Sequence, residues 1–143
     1  MTKTSFTQPI HAPAPGDVAV LDAERLDVFH VAVAFHQLVP ALGRRAGRSL
    51  RDQLERASAS ITLNLCEGCA RRSPGDKAHF FAISRGSAAE CAAIVHLLLS
   101  RGLVDGAEAS RGRSLLVRAI SMLTGLEQRC LKRGCGRASS ASG

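Results

Sequence analysis

Leu50-Arg51-Asp52-Gln53-Leu54-Glu55-Arg56-Ala57, running on through Ser60-Ile61 and Asn64 to Gly68, is the stretch that decides the fold. Leu50, Leu54, Ala57, Ile61, Asn64 and Gly68 recur in alternating steps of four and three, the spacing of a helical seam turned towards other helices. Ser49, just before it, is the expected N-cap.

The same spacing recurs on either side. An earlier segment carries Val28, Val31, Phe35, Leu38 and Leu42. A later one carries Phe80, Ser84, Ser87, Cys91, Ile94 and Leu98, flanked by Phe81, Ala88 and Val95. The last carries Leu116, Ala119, Leu123, Leu126 and Cys130. Gly43 to Gly47, Ser73-Pro74-Gly75 and Gly102 to Gly106 separate the four, each short enough to make successive helices antiparallel neighbours. Ser73 with Pro74 reads as an N-cap followed by proline at the first helical position, and Pro40 falls where it can kink or close a last turn. The expected fold is all-α, an antiparallel up-down-up-down four-helix bundle over residues 23–133. A flexible arm, residues 1–22 with Pro9, Pro13, Pro15 and Gly16, and a flexible Ser/Ala/Gly tail, residues 134–143, are expected to flank it.

Composition agrees with one helical domain. The chain has 143 residues, 45% of them hydrophobic but only 3% aromatic, with no Trp or Tyr, so its core is aliphatic and rich in alanine. Nineteen Lys and Arg against twelve Asp and Glu give a net charge of +7, a balance that favours polyanionic partners or simply an Arg-rich solvated surface. With no apolar run of about 18 residues and no basic start followed by an apolar stretch, neither a membrane span nor secretion is expected. Five cysteines match no small disulfide scaffold, which points to reduced thiols in a cytoplasm.

Polar residues interrupt two seams. Asn64, Ser84 and Ser87 occupy core-facing steps and are expected to bond one another or a carbonyl across the second and third helices. Arg56, Glu67, Arg85 and Glu90 lie close enough in the pattern to pair across the same two helices. No Ser-His pair or second carboxylate stands where it would complete a mechanism, so no enzyme and no cofactor are expected. The small residues from Ala82 to Ala93 make the third helix thin, suited to close contact inside the bundle or with another subunit, and Gly86 hints at a packing reason there.

These blocks closely resemble a bacterial four-helix-bundle family first named for proteins encoded in intervening sequences of 23S ribosomal RNA genes. The resemblance covers about residues 24 to 131. It rests on Leu50 to Ala57 with Gln53 and Arg56, on Ser60-Ile61 and Asn64, on Glu67-Gly68 with Arg71, on Phe80, Ile83 and Arg85-Gly86-Ser87 through Glu90, and on Met122-Leu123 with Leu126. It implies a bundle that assembles as a ring, commonly a homopentamer, with no assigned enzymatic activity. A relative of similar fold in diversity-generating retroelements is a basic pentameric partner of a reverse transcriptase and its RNA. The expected partners are therefore the chain itself and RNA or a nucleic-acid-bound protein.

The chain departs from that pattern at Cys66 and Cys69. Cys66-Glu67-Gly68-Cys69 is a single C-x-x-C with no second ligand pair after it, so structural thiols are expected, and a small metal- or thiol-dependent protein using Cys66 and Cys69 is the alternative. A third reading builds an enzyme at a subunit interface from Glu67, Glu90 and Arg85. If helix direction alternates, Arg44, Arg45, Arg48, Arg51, Arg101, Arg111 and Arg113 gather at one end against Asp52, Asp105 and Glu108, a surplus of four positive charges; the other end is near neutral. That end is the expected nucleic-acid contact.

Overall fold

The computed structural model of the protein describes residues 20–140; most of the expected arm, residues 1–19, lies outside them, as do residues 141–143 of the tail. Among the described residues there are four α-helices and no strand: α1 Asp27–Leu42, α2 Arg48–Ala70, α3 Pro74–Ser100 and α4 Gly106–Ser140, preceded by a short 3-10 helix, Asp22–Arg25. Each helix packs on the next and α4 closes back on α1, with the most extensive contact between α3 and α4.

Local chemistry explains where the helices start and stop. Ser73 Oγ accepts a hydrogen bond from the Asp76 N–H at 3.1 Å, and Pro74 takes the first helical position of α3. At the other end of α3 the Gly102 N–H donates to Leu99 O and the Leu103 N–H to Leu98 O, with Gly102 at φ +66°, a left-handed close that glycine accepts without strain. Asp105 Oδ2 accepts from the Ala107 N–H at 3.1 Å where α4 begins. Two boundary expectations are corrected. α2 starts one residue before Ser49, because Gly47 adopts the extended N-cap conformation and draws Ser49 into the first turn. α4 runs on past the expected end of the bundle at residue 133 to Ser140, so residues 134–140 of the expected flexible tail are helical; this stretch contains no proline, and neither Gly134 nor Gly136 takes a positive φ.

The core is aliphatic, as the composition requires, with Phe35, Leu54, Ile61, Leu65, Leu98, Leu116 and Leu123 among its fully buried side chains. In α1, Val28, Val31, Phe35 and Leu42 are buried as expected, while Val39 takes the place assigned to Leu38. In α3, Phe81, Ser84, Ala88, Cys91, Val95 and Leu98 make the inner seam, displacing Phe80 and Ser87 to half-buried positions at its edge. α3 is apolar nearly all round. It is the one helix among the described residues with the length and mean hydropathy, 1.3, of a membrane span, yet only a third of that window is buried within the chain.

Candidate functional site

The polar residues of α2 and α3 form a closed network. Ser84, fully buried, donates its hydroxyl proton to Ile61 O across the helix pair at 2.6 Å. Ser87 Oγ and Ser60 Oγ meet at 2.9 Å, and the Asn64 amide nitrogen donates to both Ser60 O and Ser60 Oγ at 2.9 Å. Among the described residues no buried side-chain nitrogen or oxygen lacks a partner. The network thus ties the register of α2 to that of α3 through Ser84, Ser87, Ser60 and the Asn64 amide nitrogen. Gly68 lets the two helices close below it: a Cβ there would stand 2.7 Å from the Phe81 ring.

The charges that share this region do not pair as expected. Arg85 bonds Glu127 of α4 at 3.0 Å, and Glu67 pairs with Arg71 one turn along its own helix; neither bridges α2 and α3. Arg71 also lies over the Phe80 ring, 4.7 Å from its centroid. Gln53, Arg56 and Glu90 are exposed, and no ion pair joins Arg56 or Glu90 to another described residue. Glu67, Glu90 and Arg85 are therefore not assembled into one site within the chain. Within the chain the close helix approach falls at Gly68, while nothing lies within 4 Å of a Cβ built at Gly86.

One constellation escaped the sequence. His36 Nδ1 and Ser58 Oγ are 2.7 Å apart, with His36 Nε2 3.7 Å from a Glu55 carboxylate oxygen. Twenty-two residues and a turn separate the pair, so no local spacing announces it. Its geometry is that of a strut. Ser58 is fully buried and its hydroxyl donates to Glu55 O at 2.9 Å, which leaves the imidazole as donor to Ser58 and no open face on the oxygen for a substrate.

The cysteines are free thiols. Burial pushes the Cys66 and Cys69 thiols above their ordinary range, with Glu24 adding to the effect on Cys66, and burial drives Cys91 up to about 12. That burial disfavours the thiolate, the form that attacks and that ligates. No group of three or more His, Cys, Asp or Glu among the described residues could hold a metal ion.

The seven candidate arginines do not all serve alike. Arg45 reaches from the first connection to Gly102 O in the third at 2.7 Å, and Arg44 reaches Glu108 at 3.4 Å, so these two connections share one end of the molecule. Arg51 binds Gly43 O and Ala46 O, tying down the α1–α2 turn. Arg48 projects almost wholly into solvent, 3.9 Å from Asp52. Arg101, Arg111 and Arg113 make no ion pair among the described residues. The last two diverge: Arg111 lines an open groove of about 700 Å³ between α1 and α4, and Arg113 lines one of about 470 Å³ beside Leu99 and Val117. Arg118 lines both. It was not among the candidates, although it follows Arg111 by seven residues and so falls on the same helical face.

Among curated proteins no relative matches the chain. A family model does, over residues 25–125, which spans α1, α2, α3 and most of α4 with the serine network and the Gly68 contact inside it. By that match, and by the helical architecture that carries it, the chain belongs to the 23S rRNA-intervening sequence protein family.

Proposed function

We infer that the protein is a non-enzymatic, homo-oligomeric helical scaffold, pentameric in keeping with the resemblance, which holds RNA against its basic end. The observation that carries this reading is the Arg45 to Gly102 hydrogen bond, which draws Arg44, Arg45, Arg48, Arg51 and Arg101 to one end of the molecule. The same bond supports an up-down-up-down course of the helices, since it joins the first connection to the third. Arginines bonded to carbonyls keep their charge, so the end stays positive while its turns are held rigid. With no Trp or Tyr to stack bases, affinity comes from phosphate contacts and is weakly sequence-selective. A serine network bonded across α2 and α3, a sealed Ser58 and the burial of Cys66 and Cys69, which disfavours their thiolates, support a scaffold over a catalyst. Reduced thiols also suit a cytoplasmic setting.

The test is binding of a mixed-sequence single-stranded RNA across a salt series. Affinity is expected to fall steeply with salt. Changing Arg48 and Arg101 together to Ala, two side chains that bond no carbonyl, is expected to lower the magnitude of the log–log slope by roughly 1 to 1.5 per subunit. Salt-independent binding, or a double variant with the parent slope, removes RNA from this reading.

A further inference from the structure

α3 carries a second seam on the side away from the core. Ile83, Gly86, Glu90, Ala93 and Leu97 follow steps of three and four, and all five are exposed, Ile83 by 39% and Leu97 by 49%. A helix that is apolar all round is normally covered all round. Here the inner face is covered by the chain's own helices and the outer face is not covered by any of the described residues. Gly86 makes a notch one step along this ridge from Ile83, with open space beside it.

A complementary surface lies elsewhere on the same chain. The groove between α1 and α4 is lined by Ala34, Leu38 and Leu115, by the polar Gln37, Ser110 and Ser114, and by Arg111 and Arg118. Neither arginine has an ion-pair partner among the described residues, and neither has Glu90. At about 1.5 Å per residue the ridge from Ile83 to Leu97 is about 21 Å long, and the groove wall from Ala107 to Arg118 about 17 Å. Ridge and groove are thus similar in length, each mixes apolar with polar residues, and the charges without an ion-pair partner among the described residues are opposite in sign.

We propose that the outer ridge of α3 seats in the α1–α4 groove of a second copy of this chain, with Glu90 of one copy meeting Arg111 and Arg118 of the next. This rests on the homo-oligomeric reading above and specifies its interface. Ridge and groove are different surfaces, so the contact is head-to-tail. Each copy offers one of each, and repetition closes a ring if the rotation allows. Glu90 in the middle of the ridge also tells against lipid as the covering, since a carboxylate is costly in hydrocarbon. The ion pair sets the register of the contact, while apolar burial supplies its driving force.

The experiment measures mass by light scattering at micromolar concentration for the parent, Glu90→Arg, Arg111→Glu with Arg118→Glu, and Gly86→Gln, each checked for helicity by circular dichroism. The parent is expected at several times 15.1 kDa. All three variants are expected to keep their helicity and fall to the monomer mass. Gly86→Gln is the control for folding, because its side chain enters open space in the single chain. Mixing the Glu90→Arg and double-Glu variants is expected to restore assembly above the monomer mass, as each supplies the charge the other now needs, in even-numbered species because a five-membered ring cannot alternate two variants. A parent that assembles while every variant does too, or a mixture that stays monomeric, overturns the interface alone. A monomeric parent overturns the oligomeric reading and the interface with it. A monomeric parent that co-sediments with phosphatidylcholine–phosphatidylglycerol vesicles would assign the ridge to lipid instead.

Discussion

The inner and outer faces of α3 have similar composition and opposite circumstances. Both repeat small and aliphatic residues at three-four spacing. Yet the inner face has Gly68 of α2 pressed against Phe81, Ser84 bonded to Ile61 O and Cys91 sealed from water, while the outer face has Gly86 in open space and a Glu90 that no described residue pairs. The difference teaches that apolar spacing marks a surface to be covered without saying by what. On one side the cover is the chain itself.

If the inner face is the one that holds the fold, Phe81→Ala gives the largest effect, a loss of about 3–5 kcal/mol in urea unfolding, because a buried ring leaves a cavity. Gly68→Ala comes next. Its methyl would meet the Phe81 ring at well under contact distance, and overpacking of this kind costs about 1–3 kcal/mol even after the gain in helix propensity. The two are coupled: in a Phe81→Ala background Gly68→Ala is expected to cost little or to stabilise. Additive losses in that cycle would break the assignment of the inner contact.

The sealed thiol sharpens the comparison through pH. Burial raises Cys91 from 9.0 to about 12, so between those values the unfolded chain gives up a proton that the folded chain keeps. Stability therefore falls as pH rises through that window, by up to about 1.4 kcal/mol per unit, and is insensitive to this thiol below it. Cys91→Ala should flatten the alkaline limb of a stability–pH curve; an unchanged limb would mean the thiol is open to solvent.

Ser84→Ala is expected to cost about 0.5–1.5 kcal/mol, since Ile61 O keeps its place in α2 when the cross-helix hydroxyl is lost. Smallest, and opposite in sign, is Gly86→Ala. Measured in a Glu90→Arg background to remove assembly, it should stabilise the chain by up to about 1 kcal/mol, the helix propensity of alanine over glycine with no clash to offset it. Destabilisation there would show that Gly86 is covered within the chain after all.

Much of the fold was legible. In α2, where charged residues separate the apolar steps, Leu54, Ala57, Ile61 and Gly68 fall where the spacing puts them, and Ser73-Pro74 opens α3 as its chemistry requires. The seam of α3 was harder to read. With apolar residues on every side, a seam through Phe80 and Ser87 and one through Phe81 and Ala88 fit the pattern equally, and only packing against α2 and α4 selects the second. The candidate site was less legible still. Seven arginines could be named, but which of them bind carbonyls, which pair with acids and which project freely depends on turns that meet across the molecule.

What the sequence determined by itself is what depends on near neighbours: four helices, their caps and breaks, the positive balance, and the motifs that place the chain in its family. Tertiary structure alone decided the Arg85–Glu127 and His36–Ser58 contacts and which face of α3 the described residues leave uncovered. The reason is physical. Periodicity and capping act over a turn or two of helix, whereas a side chain's partner and its access to water depend on which distant helix comes to lie beside it.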